Sequence, residues 1–571
     1  MSSRGAALAP QARTRAGARD LPWWIALCGL CVTLLAPLFV VDVPPLLDYP
    51  NHLARAFILD SLPQDAVLAQ FYAPHWSIIP NLALDLILPP LIHVLPVHIA
   101  GRLVIAVAVL LPVCGSVAYN SALGGRWWSL GVGLIAYNDC LLLGFLNFSI
   151  ALGLALLLAA GWLRWREEHP GPAIILAIAG ALALFACHLM GLVFFGALIG
   201  GAELLRLHQL WRLDIARPDI PRPDIPRPGI ACPGIARPDV ARLGIARSGA
   251  AQCGVARPDT GCSGIARAGI VRGSVLLLIF AGPAALYALS ALQQLGGDAE
   301  FLPFGEKLQQ LVTTFVNYNW PLDVATAAVA FALPALCVLL RWGRVPGPAA
   351  YAMTLLLITF LLAPYAWKGT YLLDTRLAVM LGFMLFAGFV PTCIPRMLGF
   401  VATVVLALIF LVRMALLISV WTDRRSDLVD LRRVLQSVHP GQAVYLAEAG
   451  IEERPDYWRA NPRRRALSDG TRTDEHLGAL VLIEHRAYWP FAFDNPSQQP
   501  IETREPYRTL AGRVGHIPTW SETAVADVCG FNDVLLMEAD ALPDLPPERF
   551  RLLARSGFAA LYAVTACHPP G

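Results

Sequence analysis

The chain has 571 residues, 56% of them hydrophobic and 15% charged, with a mean hydropathy of +0.56 and a formal net charge of +3. Ordinary soluble proteins carry about 25% charged residues, so this composition excludes a disordered chain, a nucleic-acid-binding protein and a plain cytosolic enzyme. The net charge is too small to argue for a polyanionic partner.

The charge is unevenly spread. Residues 422–571 hold 38 of the 85 charged side chains, residues 216–273 hold 13, and the other 363 residues share 34. This divides the chain into a polytopic membrane body, an unusual insert and a soluble tail. Lys307 and Lys368 are the only lysines against 42 arginines, a bias expected of a GC-rich bacterial genome.

In chain order, a cytoplasmic N-terminal tail (1–22) carries Arg4, Arg13, Arg15 and Arg19 before any acid. By the positive-inside rule it stays in the cytoplasm, and the first apolar stretch, 23–41, is an anchor rather than a cleaved signal. Further spans are predicted near 78–96, 99–119, 127–163, 172–187, 189–207, 274–292, 320–341, 347–365, 377–392 and 394–421, about eleven in all. The stretch 127–163 is too long for one span and is interrupted at Tyr137-Asn138-Asp139 and Asn147, which predicts a broken or re-entrant helix. Two parts of the membrane domain, 23–213 and 274–421, then flank a segment, 214–273, whose core repeats every five residues (ARPDI, PRPDI, PRPGI and so on). Recurrent Pro and Gly favour an extended, disordered cytoplasmic linker over a β-helix.

With this orientation the outward side receives loop 42–77, loop 293–319, loop 366–376 and the tail. Loop 42–77 contains Asp48-Tyr49-Pro50-Asn51-His52-Leu53-Ala54-Arg55. A helix beginning after Pro50 would put His52 and Arg55 on one face beyond Asp48; alternatively, Asp48 or Asn51 is a helix cap. Loop 366–376 offers Lys368, Asp374 and Arg376, with Asp374 either orienting Arg376 or pairing with it locally. His188 lies where two spans turn on the same side, either as a buried, hydrogen-bonded structural histidine or facing the same cavity. Asp85 and Asp139 are acids within apolar stretches, where ionisable groups are expensive.

From 422 the apolar helical pattern stops. Short apolar runs at Ala443–Leu446, Ala479–Ile483, Val534–Met537 and Ala559–Val564 predict strands, and Pro547–Arg555 a helix. Together they make a small extracytoplasmic α/β domain over 422–571. Cys529 and Cys567 are its only cysteines, and an outward compartment would permit them to pair. The run Glu484-His485-Arg486 with Tyr488-Trp489-Pro490 reads first as a solvated surface loop, the alternative being a segment that docks on the membrane body or touches an acceptor.

The polytopic body, the cytoplasmic N-terminus, the acid of the first outward loop and the Asp48–Arg55 run together resemble the GT-C integral-membrane glycosyltransferases. That superfamily includes protein O-mannosyltransferases and bacterial aminoarabinose and lipopolysaccharide-core sugar transferases. The run is also similar to uncharacterised bacterial membrane proteins placed near this group. The resemblance implies an enzyme of the bacterial cytoplasmic (inner) membrane. Its implied donor is a polyprenyl-phosphate-linked sugar and its acceptor a lipid, glycan or protein on the outer side. Asp48 would be the general base, with His52, Arg55, His188, Lys368, Asp374 and Arg376 binding substrate. It leaves room for a divalent metal but no certain cofactor, because Tyr49 stands where many such enzymes carry a second adjacent acid. The other readings open at this point are a transporter or flippase for a lipid-linked or anionic solute, and a non-catalytic envelope assembly protein.

Overall fold

A computed structural model describes residues 11–215, 262–450, 453 and 465–568. The pentapeptide repeat expected to be a linker lies outside the described residues over 216–261. Its last units, however, are helical, because a helix already starts at Cys262.

The N-terminal part runs α1 (Gln11–Leu35), α2 (Tyr49–Ser61), α3 (Ala83–Val94), α4 (Val97–Ala122), α5 (Leu146–Trp165), α6 (Pro170–Cys187) and α7 (Leu189–Ile215). The second part runs α8 (Cys262–Ala288), α9 (Phe304–Thr313), α10 (Trp320–Leu339), α11 (Gly347–Leu362), α12 (Leu373–Ala387) and α13 (Arg396–Leu435). Among the described residues, eight helices are long and apolar enough to cross a membrane. The spans expected at 78–96, 347–365 and 377–392 instead form α3, α11 and α12, of 12, 16 and 15 residues, all below the roughly 20 residues that a bilayer core asks for.

The interrupted stretch 127–163 breaks as its polar residues suggest. A 3-10 turn covers Trp127–Ile135, a short helix Asp139–Leu142, and only α5 is long. Asn138 caps the short helix by accepting from the Leu141 amide at 3.2 Å. Asn147 donates to the Asn81 carbonyl at 2.8 Å and accepts from the Leu84 amide at 2.9 Å, tying the head of α5 to α3. Helices α4 and α5 pack at backbone contact, since a Cβ on Gly153 would lie 2.4 Å from the Leu111 carbonyl carbon. Such close approach is what a small residue permits.

The apolar helical pattern does not end at residue 421. Helix α13 continues for 40 residues to Leu435, and its last turns bury Leu428, Leu431, Val434 and Leu435 against the C-terminal domain. That domain holds a four-stranded sheet of β2 (Val444–Ala447), β4 (Asp533–Met537), β5 (Phe550–Ser556) and β6 (Ala559–Val564), in the order β2-β4-β6-β5. Strands β2 and β4 are parallel and the other pairs antiparallel.

Two expected elements exchange type. Ala479–Ile483 is helical, the 3-10 turn Glu475–Ala479 leading into helix α14 (Leu480–His485). Leu480 to Ile483 are all buried, and a short run buried on every side reads alike as strand or helix. Pro547–Arg555 is not a helix: from Phe550 it is strand β5, hairpinned to β6 through Gly557 at φ +41°. Cys529 and Cys567 form a disulfide, with Cα atoms 4.7 Å apart.

The C-terminal domain is locked onto loop 42–77. Strand β1 (Tyr72–Pro74) pairs antiparallel with β3 (Ile501–Thr503), Tyr72 opposite Thr503. Arg432 bridges Asp42 at 2.6 Å and Glu484 at 2.8 Å, and Arg486 meets Asp65 at 2.5 Å. The segment 484–490 is therefore a docking element rather than a solvated loop, with Tyr488 and Trp489 buried.

Candidate functional site

A cavity of about 1010 Å³ opens between the helical body, loop 366–376 and the C-terminal domain. One part of its wall is apolar, with Leu146, Phe148, Leu192, Val193, Phe280 and Ala284 among its residues; the polar part includes Asp48, His52, Asn81, His188, Lys368, Arg376, Glu475, His476 and Gln499.

Asp48 is placed by backbone bonds. The Leu47 and Asp48 amides donate to the Leu142 and Leu143 carbonyls, each at 3.1 Å, so the loop rests on the interruption before α5. Gly144 lies beside this contact at φ +84°, and a Cβ there would come within 2.8 Å of the Asp48 and Tyr49 amides. Asp48 immediately precedes α2, yet its carboxylate makes no capping bond. It faces His476, whose Nδ1 lies 3.1 Å from Asp48 Oδ1, without the alignment of a hydrogen bond. Asn51 is not a cap either. It donates to the Phe491 carbonyl at 2.7 Å and accepts from the Phe493 amide at 2.8 Å. This brings Phe493 edge-on to both His52 and His476, with ring centroids 5.4 and 5.1 Å away.

Five of the seven residues singled out in the sequence line this one cavity: Asp48, His52, His188, Lys368 and Arg376. Burial, reinforced by the nearby Arg55 guanidinium, pushes His52 well below the usual imidazole range, so it faces the cavity neutral. His188 accepts the Met190 amide on Nδ1 at 3.1 Å. Lys368, in left-handed backbone at φ 51°, donates to Gln293 Oε1 at 3.1 Å. The Arg376 guanidinium lies 4.3 Å from the centroid of the Phe145 ring and donates from Nη1 to the Tyr371 carbonyl at 2.6 Å. It is within electrostatic reach of Asp48 and His188.

The other two do not line the cavity. Arg55 turns to Asp85 on α3 and is held bidentate at 2.5 and 3.0 Å. Helical spacing brings Arg55 near the face of His52, but its long side chain reaches the neighbouring helix instead. Asp374 is fully buried in the first turn of α12 and accepts from the Thr375 amide at 2.9 Å. Arg376 is oriented by the Tyr371 carbonyl rather than by Asp374.

The residues that sequence reasoning missed come from the C-terminal domain: Glu475, His476, Phe493, Gln498 and Gln499. His476 follows Asp474, which is buried and anchored to Arg424 on α13 at 2.9 Å and to Arg472 at 3.0 Å. The cationic partners outweigh the cost of burial and hold the Asp474 carboxyl down at about 2. The turn that carries His476 therefore has a rigid, charged mount.

Five buried polar atoms on residues of the cavity wall have no hydrogen-bond partner among the described residues: His52 Nδ1, Asn81 Oδ1, Arg376 Nε, His476 Nδ1 and Gln499 Oε1. Such atoms are costly unless something satisfies them. Their gathering at one cavity marks it as a place for a polar ligand group, beside an apolar wall suited to a hydrocarbon chain.

Asp48, Glu475 and His476 surround the polar end, but as placed their donor atoms do not converge as a metal centre. The one group among the described residues with at least three metal-donor atoms within 4.8 Å of one another is Asp527, Cys529, Cys567 and His568, away from the cavity, and its two sulfurs are joined as the disulfide. No protein-family model, curated protein or solved structure matches this chain.

Proposed function

We propose that the protein is an integral-membrane glycosyltransferase that passes a sugar from a polyprenyl-phosphate carrier to a hydroxyl on the outer side of the bacterial cytoplasmic membrane. In this reading the N-terminus is cytoplasmic and the C-terminal domain extracytoplasmic. The observation that carries it is the cavity itself: two carboxylates (Asp48 and Glu475), two cations and unpartnered donors and acceptors beside an apolar wall.

The chemistry follows from those groups. Asp48 accepts the proton of the acceptor hydroxyl as its oxygen attacks the anomeric carbon. The bond from that carbon to the phosphate oxygen breaks, and its electron pair leaves with the phosphate. Negative charge grows on that oxygen, where Arg376 and Lys368 stabilise it by charge-assisted hydrogen bonds. In this reading Asn81, Gln499 and His52 bond sugar hydroxyls. The apolar wall takes the prenyl chain.

The test uses purified protein in lipid vesicles with a radiolabelled polyprenyl-phosphate sugar and envelope extract as acceptor. Transfer of label to an acceptor is expected. Movement of the intact labelled carrier between leaflets, with no transfer, would overturn the reading in favour of a flippase.

A further inference from the structure

We propose that His476 is the positioning partner of Asp48, so that the base is completed by the C-terminal domain. The proposal rests on the reading of Asp48 as base and adds the residue that orients it.

Four observations converge on this pair. His476 Nδ1 is 3.1 Å from Asp48 Oδ1, and both residues line the cavity. Among the described residues no hydrogen bond fixes the Asp48 carboxylate, which makes no capping bond to α2. The imidazole is wedged between Trp489 and Phe493, at centroid distances of 6.1 and 5.1 Å, which limits its rotation. Its turn is held by the Asp474 ion pairs to Arg424 and Arg472.

An imidazole N–H directed at one carboxylate oxygen leaves the other oxygen for the incoming hydroxyl, and it stabilises the anionic form until the proton arrives. Catalytic hydrogen bonds are often poorly aligned before substrate binds and tighten in the complex, which accounts for a 3.1 Å contact lacking hydrogen-bond geometry. The proton taken from the acceptor resides on Asp48 after transfer. His476 orients the carboxylate and neither gives nor takes a proton in the step.

The geometry specifies a substitution test, because an Asn side chain places an N–H near the position of Nδ1, whereas Gln reaches toward Nε2 and Ala has no donor. The full chain in vesicles would be assayed as wild type, His476→Asn, His476→Gln and His476→Ala, each checked for folding by thermal melting. The expected result is a kcat reduced about 10-fold to 100-fold in the Ala and Gln variants, KM for the donor within about 2-fold of wild type, and substantial rescue by Asn. Equal kcat in wild type and His476→Ala would overturn the pairing while leaving the glycosyltransferase reading in place. So would equal losses in the Asn and Gln variants. Absence of transfer by wild type would instead remove that reading, and the pairing with it.

Discussion

Arg55 and Asp85 join α2 to α3 through a bidentate ion pair at 2.5 and 3.0 Å, with both side chains shielded from solvent. Removing one partner of such a pair leaves an uncompensated buried charge and costs about 3–5 kcal/mol. Asp85→Ala is therefore expected to lower the thermal midpoint of the purified protein by several degrees, and Arg55→Leu likewise. Changing both residues to apolar ones of similar volume should restore most of the loss. If the double variant melts no higher than the singles, the pair is not what Asp85 contributes.

Gly144 sets the height of the Asp48 loop. Alanine there meets the Asp48 and Tyr49 amides at 2.8 Å and must also adopt a left-handed backbone at φ +84°, which costs about 1 kcal/mol. Gly144→Ala should cut transfer at least roughly 10-fold by displacing Asp48, since misplacement of about 1 Å can cost a factor of about 100. The measurement is kcat in vesicles beside a melting curve. Full activity in Gly144→Ala would show that the loop position is not critical.

The clamp between the C-terminal domain and the body is expected to weaken in acid. Burial alone would raise Glu484, but the bonds from His98 and Arg432 outweigh it and hold the carboxyl down at about 2. A carboxyl depressed in the folded state stabilises fully above its unfolded value of about 4.3. That contribution disappears as pH falls from there towards 2. Partial exposure reduces its size to about 1–2 kcal/mol. Glu484→Gln should remove the contribution at neutral pH and flatten the stability profile between about pH 4.5 and 2, as read by limited proteolysis of the domain boundary. An unchanged acid profile in the variant would exclude Glu484 as the sensitive group.

The Cys529–Cys567 disulfide closes a loop with a sequence separation of 38. For that length the loss on opening is about 2–4 kcal/mol. Cys529→Ser should lower the midpoint of the C-terminal domain, with mass spectrometry of unreduced peptides reporting the linkage in wild type. Recovery of free thiols at both positions from native membranes would contradict the pairing.

The long helices were legible because uninterrupted apolar runs leave few alternatives, and the interruption before α5 was legible because Asn138, Asp139 and Asn147 interrupt such a run. Short elements were not. Leu480–Ile483 is buried all round, so no periodicity separates strand from helix, and Phe550–Ser556 carries no alternation to read, since residues 551–553 are all exposed and the pairing is irregular between Leu552 and Ala554. Asp48, Lys368 and Arg376 stood out against a body with so little charge. His476 did not, because it lies in a charged domain at the far end of the chain, and only the docking of that domain on loop 42–77 brings it to Asp48. Arg55 and Asp374 stand off the cavity for reasons the sequence does not carry: helical spacing puts Arg55 on a face but does not say that it reaches Asp85, and a place in a short polar loop beside Arg376 does not say that Asp374 turns to the Thr375 amide instead.

The central claim is that Asp48 acts as base in sugar transfer at this cavity, and Asp48→Asn tests it most directly because it keeps the shape and removes the basic oxygen. Transfer of label from the polyprenyl-phosphate donor would be measured for wild type and variant at equal amounts of folded protein. The account predicts a kcat lower by about 100-fold to 10,000-fold with donor binding retained. A variant as active as wild type would contradict it.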